Sequence, residues 1–308
     1  MNTSSSTRTG LTDPWGALAC AVAAMLFAAK GIFAKKLYAQ GLSFEGVVAI
    51  RASISLPLFW WFALRRESLA EIAATPRRAV ITAALAGALC YYAGALLDFL
   101  ALTMIDASIE RVLIFSYPAM VVIFTATRDR RWPSPRVQAA TALTYLGIFF
   151  TMGGFDLAEL RANVFGALLV IGSALSYAIY FIVSETYTRS VGSARFTLIA
   201  MTAATACLVP HYLFFHGAAE VATIDSTGWM LLVGIAVFCM FLPASFQAEG
   251  VRRIGAERGA VLSTVGPPTT VVLAFVLLDE RLSAWQWTGM ALIVLGILVL
   301  DLARTRKS

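Results

Sequence analysis

Long apolar runs recur along the whole chain, near residues 15–37, 46–64, 79–101, 107–127, 135–155, 163–184, 195–215, 228–248, 257–278 and 284–303. A hydrocarbon core about 30 Å thick takes roughly 20 apolar residues as a helix, so each run is a candidate membrane span. Within lipid a span must satisfy its backbone hydrogen bonds internally, and barrel strands would be about half as long and strictly alternating. The runs therefore predict an all-α polytopic membrane protein of ten transmembrane helices. Composition agrees: 59% of the 308 residues are hydrophobic and 14% charged, against roughly 45–50% and 25% in an ordinary soluble domain. The polar start MNTSSSTRTGLTDP precedes a run that ends in lysines and is followed by many others, which reads as a retained helix rather than a cleaved signal.

The four cysteines, Cys20, Cys90, Cys207 and Cys239, lie deep in apolar segments without C-x-x-C spacing. They read as packing residues, and neither a metal nor another cofactor is expected. A net charge of +6 raises nucleic acid as a partner, but the basic residues fall in short loops between apolar runs, where membrane topology accounts for them. With a cytoplasmic N-terminus the inner segments hold 17 Lys and Arg, from Arg8 to Lys307, against five on the other side, namely Lys35, Lys36, Arg111, Arg161 and Arg281. That bias predicts cytoplasmic termini at both ends.

Self-comparison at a displacement of about 150 residues aligns WGAL (15–18) with FGAL (165–168), VLIFSYPAMVVIF (112–124) with VLSTVGPPTTVVL (261–273), and ALTYLGI (142–148) with ALIVLGI (291–297). A constant displacement that keeps proline and glycine in register is the mark of an internal repeat. The expected organisation is a tail over 1–14, a first five-helix repeat over 15–155, a second over 156–303 and a tail over 304–308. Because each copy holds five spans, the second starts on the opposite side and is inverted. Inverted repeats are a recurrent design of secondary transporters, since one packing can open to either side at similar energy.

The stretch DERLSAWQWTGMALIVLGILVL (279–300) resembles the end of an EamA domain, in which an acidic residue and an arginine precede a glycine-punctuated last helix. Two such domains over nearly the whole chain resemble the drug/metabolite transporter superfamily, with the YddG-type aromatic amino-acid exporters of bacterial inner membranes as the nearest resemblance. The first copy departs from the pattern, with Arg130, Arg131 and Trp132 where the second has Asp279, Glu280 and Arg281. The resemblance implies a multi-pass inner-membrane exporter of amino acids that works by alternating access through a central cavity. It implies no bound cofactor and leaves oligomeric state open.

Charges inside the apolar runs are the candidates for a site. Lys30 lies about 22 Å from the first run's start, Arg51 about 9 Å from one end of the second and Asp98 about 28 Å into the third. An unpaired charge there costs at least about 2.5–3.5 kcal/mol, so such groups face a wet cavity or pair with one another. Asp98 with Lys30 or Arg51 is the expected pair, and Glu110 and Arg111 open the fourth run at the same level. Helical spacing puts Lys30 on a face with Ala23, Phe27 and Ala34, which the repeat maps onto Ser173, Tyr177, Tyr180 and Ser184. The third run carries a stripe of Gly87, Tyr91, Gly94 and Asp98, either for close helix packing or for a cavity. Expected cavity residues are thus Lys30, Tyr91, Tyr92, Ser173, Tyr177, Tyr180 and Ser263, with Lys30 as partner for a substrate carboxylate. Arg51, Asp98, Glu110 and Arg111 form one expected gate, and Glu249, Glu257 and Arg258 the opposite one. Pro118, Pro243, Pro267 and Pro268 free backbone carbonyls and are candidate hinges.

Such a cavity suits aromatic and other apolar amino acids, including methionine and threonine, with drug-like cations as the alternative. Other classes fit less well. The only histidines are His211 and His216, and no H-E-x-x-H or phosphate-binding G-x-x-x-x-G-K-S/T motif is present, which argues against a membrane enzyme and against ATP hydrolysis. A passive channel remains as the second competitor.

Overall fold

The computed structural model describes residues 13–105, 107–130, 132, 134–151, 164–217, 219–269, 272 and 284–302, and these form helices and no strand. In chain order they are α1 (Pro14–Phe27), α2 (Lys30–Ala39), α3 (Phe44–Leu64), α4 (Arg77–Ala101), α5 (Ala107–Ile114), α6 (Tyr117–Asp129) and α7 (Pro135–Thr151). There follow α8 (Val164–Val191), α9 (Ser193–His216), α10 (Ser226–Ile254), α11 (Ala256–Leu262) and α12 (Ala284–Leu302). Among the described residues six stretches are long and apolar enough to cross a membrane: Pro14–Ala39, Phe44–Leu64, Arg77–Ala101, Val164–Val191, Ser193–His216 and Ser226–Ile254. Large apolar side chains such as Trp15, Leu168, Met230 and Phe214 stand exposed on them, as lipid contact requires. The chain is thus a multi-pass membrane protein.

The remaining expected runs carry shorter helices, because the chain there is interrupted. The fourth run breaks at Phe115–Ser116 between α5 and α6, and the ninth ends α11 in a tight turn over Ser263–Val265 before Gly266 and Pro267. The first run is not one straight helix either. It breaks at Ala28–Ala29, so Lys30 opens a new helix instead of sitting in the middle of one. Arg131 and the motif residues Asp279, Glu280 and Arg281 lie outside the described residues, as do both chain tails.

Helix ends follow local chemistry. Asp13 caps α1, accepting from Trp15 N at 2.9 Å and Gly16 N at 3.2 Å, with Pro14 at the first helical position. That satisfies donors a helix start leaves bare. Single glycines join α8 to α9 and α10 to α11: Gly192 has φ 89° and Gly255 φ 87°, a backbone that residues with a Cβ rarely adopt.

The repeat register returns in the packing. Equivalent positions 149 residues apart, Ala88 and Val237, each open a wider π-helical turn inside a long helix, with buried Cys90 and Cys239 at matching places within them. In the α1–α10 contact, a Cβ built on Gly16 would come 2.7 Å from Ile254 and 2.8 Å from Arg253. In the α8–α4 contact, one on Gly166 would come 2.8 Å from Ile105 and 3.3 Å from Met104, which are the counterparts of Ile254 and Arg253. Between α7 and α12 the relation is reciprocal: a Cβ built on Gly147 would come 2.7 Å from the Gly289 carbonyl, and one on Gly296 would come 2.9 Å from the Ala140 carbonyl. Ascending α7 from Ala140 to Gly147 descends α12 from Gly296 to Gly289, so these two helices cross antiparallel. The glycines admit the partner backbone.

The buried apolar side chains form two clusters, one over α2, α3, α4, α9 and α10 with Tyr180 of α8, the other over α1, α5, α6, α8 and α11 with residues of α4, α7, α10 and α12. Each draws on both repeats, so the halves share their core. Tyr177 packs against both clusters and marks the seam.

Candidate functional site

The charges that read as misplaced in the sequence converge. Lys30, at the start of α2, bonds through its ammonium to Asp98 of α4 and lies 3.4 Å from Glu110 Oε1 of α5. Glu110 Oε2 is 3.5 Å from Arg111 Nε. Arg51 of α3 joins by a different contact, its guanidinium 4.3 Å from the centre of the Phe99 ring, with the Lys30 ammonium 5.5 Å from the same ring. A ring face in a water-poor setting attracts a cation by about 2 kcal/mol. All five charged side chains are buried. Tyr38 braces the group from α2 by donating to the Phe99 carbonyl at 3.0 Å.

The pairing is incomplete. Arg51 Nε, Arg111 Nη2, Asp98 Oδ1 and Glu110 Oε2 are buried without a hydrogen-bond partner. Among the described residues three cations stand against two carboxylates, so with every group ionised the cluster carries one surplus positive charge.

Beside the cluster lies a cavity offering about 40 Å³ to the centres of water molecules. That holds a few waters but no amino acid without movement of its walls. Its lining comes from both repeats: Ala24, Phe27, Lys30, Arg111, Ile114, Phe115 and Tyr117 from the first, and Tyr177, Phe181, Gln247 and Ser263 from the second. Positions that the repeat superposes both line it, Phe27 with Tyr177 and Ile114 with Ser263. The aromatic wall is continuous, with Tyr117 5.2 Å from Phe181 and 6.1 Å from Tyr177 between ring centres.

Of the residues expected to line a cavity, Lys30, Tyr177 and Ser263 do so, and Arg111 joins them from the expected gate. Tyr91 and Tyr180 instead pack edge to face, 5.0 Å apart, with Tyr91 6.5 Å from Tyr177 behind the wall. Tyr92 turns to His211 of α9, its hydroxyl 3.2 Å from Nδ1. Ser173 is buried in α8 away from the cavity. The glycines of the α4 stripe serve close packing: Gly87 sits on the backbone of Ala200 and Gly94 on the Ser176 hydroxyl.

Two lining residues escape a search for charges. Tyr117 precedes Pro118 at the break between α5 and α6. There the Tyr145 hydroxyl donates to the Phe115 carbonyl at 2.6 Å and accepts from Ala119 N at 3.1 Å. A side chain thus stands inside the helical ladder, one of the recognised causes of a kink. Gln247, in α10, is 5% exposed and its Nε2 has no partner. The repeat offered a signal, since a displacement of 149 carries Asp98 onto Gln247.

At the other end of α1 and α10 a second ionic group ties three helices. Glu249 accepts from Arg253 Nε at 2.5 Å, from Arg252 Nε at 2.8 Å and from the Ser193 hydroxyl at 2.6 Å, and Arg253 also holds Asp13 at 2.9 Å. Glu257 and Arg258, expected with Glu249, open α11 half-buried just beyond Gly255. Pro243 stands at the start of the α-helical segment that follows the π turn of α10, and Pro267 and Pro268 follow the tight turn after α11.

The sequence matches the EamA-like transporter family twice, over residues 14–153 and 164–301. The chain belongs to that family. A relative named as an uncharacterized transporter, YcbK of Bacillus subtilis (strain 168), is 32% identical over 279 residues, 89% of this chain and 88% of its own. An uncharacterized transporter of Archaeoglobus fulgidus is 23% identical over 63% of this chain and 67% of its own. A solved crystal structure at 18% identity superposes with a TM-score of 0.79 over 96% of this chain and 100% of that one, a likeness that speaks for the fold alone. The cavity takes its lining from both EamA matches.

Proposed function

We propose that this EamA-family chain is a secondary transporter of the bacterial inner membrane that exports apolar amino acids by alternating access, aromatic ones foremost, with methionine and threonine also admitted. It has ten spans in two inverted five-helix repeats and both termini in the cytoplasm. The observation that carries this reading is a cavity walled by equivalent residues of both repeats and reached by two buried cations, Lys30 and Arg111. The antiparallel α7–α12 crossing, with its reciprocal glycine contacts, supports the inversion. The Lys30 cluster and the Glu249 network lie about 25 Å apart along α1 and α2, a separation that suits two alternately opened gates. Drug-like cations suit the site less, because the charged groups on its wall are positive.

The test is flux of phenylalanine, methionine and threonine into liposomes holding the purified full chain. Tyr177→Ala and Phe27→Ala are expected to lower phenylalanine flux about tenfold or more, each removing a half-buried aromatic side chain of the wall. Wild-type flux in both variants would remove the cavity from the transport path.

A further inference from the structure

The polar atoms on the cavity wall are unequal in kind. Lys30 and Arg111 bring positive charge, and Gln247 brings an amide. Of these, Arg111 Nη2 and Gln247 Nε2 are donors buried without a partner. Asp98 and Glu110, which pair with Lys30, do not line the cavity. The wall thus offers donors and cations to a ligand and no carboxylate. Buried donors left without acceptors are costly, and a charged acceptor satisfies them best. An incoming carboxylate would also cancel the surplus positive charge of the cluster, which an ammonium would enlarge.

We infer that the site recognises the carboxylate of its substrate through Arg111, Gln247 and Lys30, and that the substrate's ammonium group is dispensable. Aryl-alkyl carboxylates without an amine are therefore ligands of this carrier, alongside the amino acids that share their side chains. Gln247 is the specificity-determining residue. It stands at the repeat position of Asp98, where an acid would reverse the preference. This inference rests on the reading of the cavity as the transport site.

Three compounds with one apolar body separate the contributions: phenylalanine, 3-phenylpropionate and phenethylamine. Binding is measured on the purified full chain in detergent, and flux on the same chain in liposomes. The expected result is that 3-phenylpropionate binds at least as tightly as phenylalanine, and phenethylamine at least about tenfold more weakly, the factor a lost charge-assisted hydrogen bond commands. Gln247→Glu is expected to weaken 3-phenylpropionate about tenfold or more and to strengthen phenethylamine. Gln247→Leu, which adds no charge, should weaken both carboxylates without helping the amine. Phenethylamine binding as tightly as 3-phenylpropionate, or a Gln247→Glu variant that keeps the wild-type order while retaining its thermal midpoint, would overturn the inference. A carboxylate preference in binding without flux of either carboxylate sinks the transport reading alone. Equal flux of all three compounds sinks the inference alone, and binding of none sinks both.

Discussion

At the scale of single residues, the buried charges are the part of the site most legible in the sequence. Lys30, Arg51, Asp98, Glu110 and Arg111 stand out because a charge in an apolar run is expensive unless it has a purpose. Their convergence from four helices turns that expense into mutual pairing. Lys30 holds two carboxylates, so Lys30→Met should destabilise the fold by about 3–5 kcal/mol, the usual result of stranding a buried charge. Adding Asp98→Leu should restore most of that loss. Denaturation midpoints in detergent check this, and a single variant as stable as wild type would contradict it. Gln247 and Tyr117 were not legible in this way. Neither is charged, and amides and phenols occur on helices for many reasons. Outside the spans, the hydrogen bond from Arg253 holds the Asp13 carboxyl below its ordinary value, against a smaller opposing effect of burial. A depressed carboxyl stabilises the folded state above the unfolded value of about 3.9 and loses that contribution as pH falls through its lower folded value. Asp13→Asn should therefore lower the melting midpoint at pH 7, and the difference from wild type should shrink as pH falls below about 3.9 toward the lower folded value.

At the scale of helices, hydropathy located the elements and missed their interruptions. Apolar length decides whether a segment is buried in lipid, and that is a property of composition. A break depends on what satisfies the freed backbone groups, and that comes from a distant helix. Pro118 signalled a disturbance in the fourth run, but the Tyr145 hydroxyl between Phe115 and Ala119 is a tertiary contact. The break before Lys30 and the paired π turns had no local signal at all. Glycine pairs are a middle case, since Gly147 and Gly296 were visible in the repeat alignment while their reciprocal seats needed the structure. A valine at Gly147 would meet the Gly289 carbonyl at 2.7 Å, and one at Gly296 the Ala140 carbonyl at 2.9 Å. Neither obstacle is a flexible side-chain end. Each substitution should cost about 1–3 kcal/mol, the range for overpacking, and the two costs should be similar because the two contacts are reciprocal. Thermal unfolding of Gly147→Val and Gly296→Val measures both. One strongly destabilised variant beside an unaffected one would show that the crossing is not reciprocal.

At the scale of the whole molecule, symmetry and charge pull apart. The repeats match in their π turns, glycine seats and cavity walls, yet the charges of the Lys30 cluster belong to the first repeat alone, since Asp98 answers to Gln247, Glu110 to Gly259 and Arg111 to Ala260, while those of the Glu249 network belong, Asp13 apart, to the second. The molecule is therefore symmetric in packing and asymmetric in electrostatics. With its acids ionised, the empty site holds one cation more than it can pair. Under the proposed alternating access, turning the empty site around would move its open side past that unneutralised charge, at a cost of at least about 2.5–3.5 kcal/mol, whereas a bound carboxylate would cancel it. Such a difference corresponds to roughly a hundredfold in rate. Counterflow of labelled 3-phenylpropionate into liposomes preloaded with the unlabelled compound should accordingly exceed net uptake into empty liposomes by at least about tenfold. Arg51 does not line the cavity and faces the Phe99 ring, so Arg51→Met removes the surplus charge without touching the wall. In that variant net uptake should rise toward the counterflow rate. Equal counterflow and net uptake in the wild type, or a gap that Arg51→Met leaves unchanged, would mean that the surplus cation does not govern the return of the empty carrier.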